Sequence, residues 1–204
     1  MNSELPSFNW GDHVNHENRV TEDTPVICPF SITIDTREQA PWSFTGIKTD
    51  SAKKYRPLVV NTETRTLPTG DYSIYGMEAD ICIERKSPSD AFSTFTVDRD
   101  RFERELERMA AMRWSAVIIE CGWEQIFAGP QRLEKSAKHS EVIGKTVYRS
   151  ILAWSQRFPM VHWFPMPSRL HAERTAFRLL ERWWNDRQEE KKAAAKANQR
   201  GLFQ

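Results

Sequence analysis

The sequence predicts an α/β fold, a central sheet with helices on its faces, from three observations. Short runs of β-branched and apolar residues alternate with polar ones as far as residue 86. Beyond that point apolar residues recur at spacings of three and four, the period of amphipathic helices. A nearly continuous apolar run, Ala116-Val117-Ile118-Ile119, then follows the first helical stretch, as expected of a strand buried on both faces. Strands first, then strands alternating with helices, is the order of a sheet covered by helices.

The elements follow in chain order. Residues 1–25 are polar and aperiodic and are expected to form a poorly ordered arm. Ser31-Ile32-Thr33-Ile34-Asp35 alternates as a strand, and Pro41 and Gly46 mark a loop after it. Leu58-Val59-Val60 opens a second β-prone stretch. Leu67-Pro68-Thr69-Gly70 is a turn leading into the short strand Asp71–Tyr75, and Gly76–Asp80 connects it to Ile81–Lys86 as a hairpin. Phe102, Leu106 and Met109 place a helix over 98–114, and Ala116–Glu120 is the buried strand. Residues 141–158 read as a helix with Val142, Val147, Ile151 and Trp154 inward, and Val161–Phe164 as another strand. Ser168 caps a last helix carrying Phe177, Leu180 and Trp184 on one stripe. The expected units are an arm (1–25), a domain (26–187) and a basic tail (188–204).

Composition narrows the function. Twenty-nine basic residues offset 28 acidic ones, for a net charge of +1, so any nucleic-acid surface must be a local patch. Cys28, Cys82 and Cys121 lie far apart with no C-x-x-C pair, which argues against a zinc site or a disulfide framework. No apolar run approaches the roughly 20 residues of a membrane span. The first residues lack the basic start and apolar stretch of a signal peptide. An intracellular protein is expected, cytoplasmic or with the nucleoid or nucleus, with no membrane partner.

The chemistry lies in the hairpin. Phosphodiester hydrolysis needs a divalent cation, carboxylates to hold it, and a group that orients or deprotonates water. Hard oxygen donors suit Mg²⁺ or Mn²⁺. Asp71 opens one strand and Glu84 nears the end of the next, with twelve residues between them. Alternation puts Glu84 and Lys86 on one face, about 7 Å apart at roughly 3.3 Å per residue.

Three words surround this pair: Asp35-Thr36-Arg37-Glu38, Gly70-Asp71-Tyr72 and Glu84-Arg85-Lys86-Ser87-Pro88-Ser89-Asp90. Together they resemble the D-x-R-E, G-D-(Y/F) and E-R-K-x-x-x-D motifs of the XPF-type structure-specific endonucleases, within the PD-(D/E)XK superfamily. The resemblance is close over 31–120. It implies a restriction-endonuclease-like mixed sheet flanked by helices, and an Mg²⁺- or Mn²⁺-dependent endonuclease cutting branched, flapped or distorted DNA in repair or recombination. It further implies metal ligation by Glu38, Asp71 and Glu84, with Asp35 a second-site or outer acid. Lys86 would orient or help deprotonate water. Arg37 and Arg85 would hold phosphate or fix carboxylates, and Asp90 would position Arg85 or Lys86. Relatives pair through this domain, so a homodimer or heterodimer is expected.

Two departures stand out. In Asp100-Arg101-Phe102-Glu103-Arg104-Glu105 an acid occupies a helix position where relatives usually carry Gln. No G-x-G hairpin pair follows residue 120, so DNA contact is expected from the nuclease domain, the tails or a partner.

Blander readings compete at several positions. The arginines of this helix, Arg101 among them, can face DNA phosphates or pair with the interleaved glutamates. Gly144-Lys145-Thr146 resembles the end of a phosphate loop, but its first glycine would fall at His139, so no nucleotide cofactor is expected. His162 and Trp163 read as sheet residues. Trp183 and Trp184 read as packing against the body or a dimer partner, with base stacking open. At the level of function, the alternative is a catalytically silent scaffold on the same fold.

Overall fold

The computed structural model describes residues 24–50, 55–130 and 137–201, with backbone alone for 137–142 and 199–201. The expected arm falls almost wholly outside the described residues, as do residues 202–204 of the tail and the side chain of Val142. The strands are β1 (Val26–Asp35), β2 (Leu58–Arg65), β3 (Tyr72–Ile74), β4 (Ile81–Lys86), β5 (Trp114–Ile119) and β6 (Val161–Pro165). They form a mixed sheet in the order β2-β1-β3-β4-β5-β6. β3 pairs antiparallel with both β1 and β4, whereas β4, β5 and β6 run parallel. Parallel neighbours need crossovers, here α1 (Pro88–Thr94) with α2 (Arg99–Ala110), then α3 (Trp123–Ala128) with α4 (Ala137–Arg157). The chain closes with α5 (Arg169–Gly201).

Strand alternation divides the interior into two layers. On one face Ile81, Ile83, Ala116 and Ile118 pack under Trp42, Phe44 and the Phe177–Leu180 stripe of α5. On the other, Cys82, Val117 and Ile119 meet α1, α2 and α4 through Phe95, Phe102, Leu106, Val147 and Trp154. Burial of Phe102, Leu106 and Met109 stabilises α2 by about 1.5–3 kcal/mol each. Its ion pairs, such as Arg99–Glu103 at 3.4 Å, add roughly 0.3–0.5 kcal/mol each, so packing decides that this helix forms.

The α/β expectation and the long elements hold, but two short helices depart from it. α1 and α3 have seven and six residues, too few for a 3.6-residue period to register. α1 is instead specified by its start, where the Ser87 hydroxyl accepts from the Asp90 N–H and Pro88 enters the first turn. β2 pairs parallel to β1 at the sheet edge, a non-local choice that no local pattern encodes. Helix α5 runs on through the expected tail, with residues 189–198 exposed.

Gly144 lies inside α4. A Cβ there would stand 2.4 Å from the Ile126 carbonyl oxygen and 2.6 Å from that of Phe127, so glycine is what lets α4 cross the end of α3. The Gly144-Lys145-Thr146 segment is thus helix, not a phosphate loop. Trp184 stacks on Phe30 with centroids 5.8 Å apart, and Trp163 packs on Trp154 at 6.0 Å, both as sheet and body packing.

Candidate active site

The β3–β4 hairpin places the two acids. The Asp71 N–H donates to the Ile83 carbonyl at 2.8 Å, and its carbonyl accepts from the Asp35 N–H at 2.8 Å. Gly70 precedes it at φ 74°, in the left-handed region, and a Cβ there would meet the Cys82 Cβ at 3.0 Å. Glycine before the acid therefore lets the turn close tightly over β4. The Arg85 N–H donates to Asp71 Oδ2 at 2.7 Å. Glu84 is buried, and its Oε1 accepts from Lys86 Nζ at 2.5 Å. The Lys86 ammonium sits 4.7 Å from the centroid of the Phe102 ring of α2.

Burial first, then the Glu84 charge, push Asp71 well above the ordinary carboxylate range. Burial also raises Glu84, to about 7, against the lowering pull of Lys86 and with a further upward push from Glu105 and Glu38. For Lys86, burial works downward, but Glu84, Glu105 and Asp71 outweigh it and hold the ammonium charged. The centre thus contains carboxylates that repel one another in a dry setting, with one lysine as partial compensation.

Arg85 points to the opposite face of the sheet from Glu84 and Lys86. Its Nε and Nη2 grip Glu120 at 2.8 and 3.0 Å, and its Nη1 reaches Glu38 Oε1 at 3.2 Å. Glu120 also accepts from Trp42 Nε1 at 2.8 Å and from Arg169 Nη1 at 3.0 Å. Arg169 then ties down the carbonyls of Ala40 and Pro41 at 2.8 and 2.9 Å. Arg85, expected either to hold phosphate or to fix carboxylates, does the latter here: it holds Glu38 beside the hairpin, with Glu120 as its anchor.

Glu120, Trp42 and Arg169 escaped the sequence reading. The available signal was an acid directly after the apolar run Ala116–Ile119, one residue past the partner of Lys86 in the parallel register. Glu105, the departure noted in α2, does act on the site, through the upward push on Glu84 and Lys86.

Two expected roles, those of Asp35 and Asp90, are corrected by the geometry. Asp35 does not join the acid group, because its carboxylate is filled by Arg37 Nε at 2.6 Å, Arg37 Nη2 at 3.0 Å, the Arg37 N–H at 2.8 Å and the Leu67 N–H at 2.6 Å. It locks the turn before Gly70, and Arg37 fixes it while donating also to the Leu67 carbonyl at 3.0 Å. Asp90 caps α1 instead of positioning Arg85 or Lys86, accepting from the Ser87 hydroxyl at 2.6 Å. Arg101 is exposed and 3.5 Å from Asp98, in a pair with a neighbouring acid.

The expected three-carboxylate set is not closed, since Glu38 is turned to Arg85 and to the Ala40 N–H, 2.7 Å away. Among the described residues no three Asp, Glu, His or Cys side chains gather in ligand geometry. Asp71 and Glu84 remain, and Mg²⁺ is normally held by one or two carboxylates with water in its other positions. Two hard-oxygen donors raised by burial, Asp71 also by the Glu84 charge and Glu84 by Glu105 and Glu38, are a donor set that a divalent cation would relieve, so the residues fit the group.

A family model described as the ERCC4 domain matches residues 34–176, which includes all three words and the hairpin. The chain belongs to the ERCC4 domain family. The solved structure of XPF from Aeropyrum pernix, in complex with DNA, shares the fold of this ERCC4 domain with a TM-score of 0.50 and 17% identity. The likeness covers 77% of this chain and 66% of that one, so the present chain spans just under two thirds of that relative. No protein of curated function matches the chain. Among the described residues no helix is long and apolar enough to cross a membrane.

Proposed function

We propose that this ERCC4 domain is a divalent-metal-dependent DNA endonuclease that hydrolyses phosphodiesters in branched, flapped or distorted DNA, in repair or recombination inside the cell. The observation that carries the reading is half-buried Asp71 beside buried Glu84, with Lys86 bonded to Glu84, at the end of a family hairpin. Residues 26–187 form the nuclease domain. Asp71 and Glu84 would hold Mg²⁺ or Mn²⁺, with Glu38 within reach of the same corner. When bound, the cation supplies charge stabilisation for the phosphorane and a more acidic water. Lys86, kept protonated by its acidic neighbours, orients the attacking water and offsets phosphate charge. Arg85 and Glu120 hold the ends of β4 and β5 in register. Exposed Arg37 and Arg101 meet flanking phosphates, which position the duplex without reading bases. Substrate choice then rests on DNA shape, and a second subunit, the same or different, joins through the nuclease domain.

The test is cleavage of labelled duplex, single-stranded, flap, splayed-arm and four-way-junction DNA with Mg²⁺ or Mn²⁺, for native protein and Asp71→Ala. Metal-dependent cutting of branched substrates that disappears in the variant is expected. Binding without cutting, at high protein and with Mn²⁺, is the result of a silent scaffold and overturns the proposal.

A further inference from the structure

Glu105 lies on the face of α2 that covers the acid corner. It follows Phe102 by three residues, and residues three apart are neighbours on one face of a helix. The Lys86 ammonium sits 4.7 Å from the centroid of that Phe102 ring. Helical side chains lean toward the helix N-terminus, so that of Glu105 reaches back over the turn that holds Phe102. Its charge is felt at Cys82, Glu84 and Lys86, the alternate residues of β4 that look toward α2, and at Arg37.

Neighbouring acids of α2 are engaged elsewhere. Glu103 accepts from Arg157 at 2.8 Å and from Trp154 Nε1 at 2.9 Å, and Glu107 lies 3.7 Å from Arg157. Glu105 is half-buried, yet among the described residues it makes no hydrogen bond and no ion pair. Arg101, one turn before it, is paired with Asp98. A half-buried carboxylate without a partner costs the fold stability. Packing does not call for it, since Phe102, Leu106 and Met109 supply the buried stripe of the helix.

The corner is thereby out of balance. Asp71, Glu84 and Glu105 set three carboxylates against the one ammonium of Lys86, because Asp35 is filled by Arg37 and Glu38 is held by Arg85. With all three ionised, a dication brings the corner to neutrality. Without one, a phosphodiester entering it meets net negative charge, which disfavours its approach. Resting on the nuclease reading above, we infer that Glu105 sets the order of assembly: it draws the divalent cation into the corner and turns a DNA phosphate away until that cation is bound. Glu105 is in this sense a positioning residue, acting on both ligands through the field of the corner.

The test uses the full chain and Glu105→Gln, which keeps the shape of the side chain and removes its charge. Mn²⁺ binding is read by calorimetry without DNA. Binding of labelled splayed-arm DNA is read by fluorescence anisotropy, in EDTA and with Ca²⁺ in place of Mg²⁺. The variant is expected to bind Mn²⁺ about 10-fold more weakly and, in EDTA, to bind the DNA about 3- to 10-fold more tightly. A merely structural role would weaken both or move neither. Any pattern other than these opposite changes, in a variant that circular dichroism shows to be folded, overturns the inference. The native chain gives a second reading that does not depend on the variant. It is expected to bind the DNA at least about 10-fold more tightly with Ca²⁺ than in EDTA. Equal binding in the two conditions overturns the inference and leaves the nuclease reading standing. Absence of Mn²⁺ binding to the native chain overturns the nuclease reading itself.

Discussion

Asp71 and Glu84 are placed at a cost to the fold. Burial raises both, the Glu84 charge raises Asp71 further, Glu105 and Glu38 do the same to Glu84, and Lys86 compensates only in part. Removing one charge without changing shape should stabilise the chain while ending its chemistry. Asp71→Asn keeps an oxygen for the Arg85 N–H, so cleavage is lost while the metal-free melting temperature rises. The rise should be about 2–4 °C, taking the relieved repulsion as on the order of 1 kcal/mol. Both carboxyl groups are raised on folding, so the native state holds more protons than the unfolded one. Glu84 shifts from 4.5 to about 7, and across that window native stability falls as pH rises. The advantage of Asp71→Asn should therefore be small in acid, grow as pH rises above the ordinary carboxylate range, and level off only above the raised native value of Asp71, read by thermal melts from acid to alkaline pH. These acids and Lys86 were legible in the sequence because hairpin alternation and the surrounding motifs fix their sides. The side-chain partners of Asp35 and Asp90 were not, because a carboxylate beside a turn can serve a cation or the backbone, and spacing alone does not separate the two.

At the scale of elements, the parallel β4–β5 pair carries a charge on each face, and the two faces do different work. Glu84 and Lys86 look toward α2. Arg85 and Glu120 look toward Trp42 and α5, where Glu120 accepts from Arg85, Trp42 and Arg169 together. Glu120→Ala strands the Arg85 guanidinium, which is 9% exposed, with Glu38 as its remaining ion-pair partner. Breaking a buried pair in this way costs about 3–5 kcal/mol, a fall of roughly 6–12 °C in melting temperature at the low end of that range. Burial works to raise Glu120, but its bonds from Arg85 and Trp42 outweigh that and hold it below the ordinary value of 4.5. Its stabilisation is thus present above that value and lost as pH falls through the lowered one. The gap between native and variant melting temperatures should be widest at neutral pH and close in acid. Neither Glu120's partners nor its role could be read locally, since Trp42, Arg85 and Arg169 meet it only through the sheet and its covering loop. Helices of ten residues or more were legible by period, whereas α1 and α3 were too short to show one.

For the whole molecule, the order of strands and helices identified the class of fold, while the strand order in the sheet depended on non-local pairing such as β2 alongside β1. On the proposed function, a net charge near zero leaves DNA contact to local surfaces. The central claim is that the repelling carboxylates in that corner form the seat of a divalent cation. The most direct test is calorimetry of Mn²⁺ binding to the full chain at about pH 7, in two buffers of different ionisation heat. Native protein should bind and release protons, with less release at about pH 8.5, where Glu84 is already ionised, and Asp71→Asn/Glu84→Gln should do neither. Absence of Mn²⁺ binding to the native chain, or equal binding and proton release in the double variant, would contradict the claim.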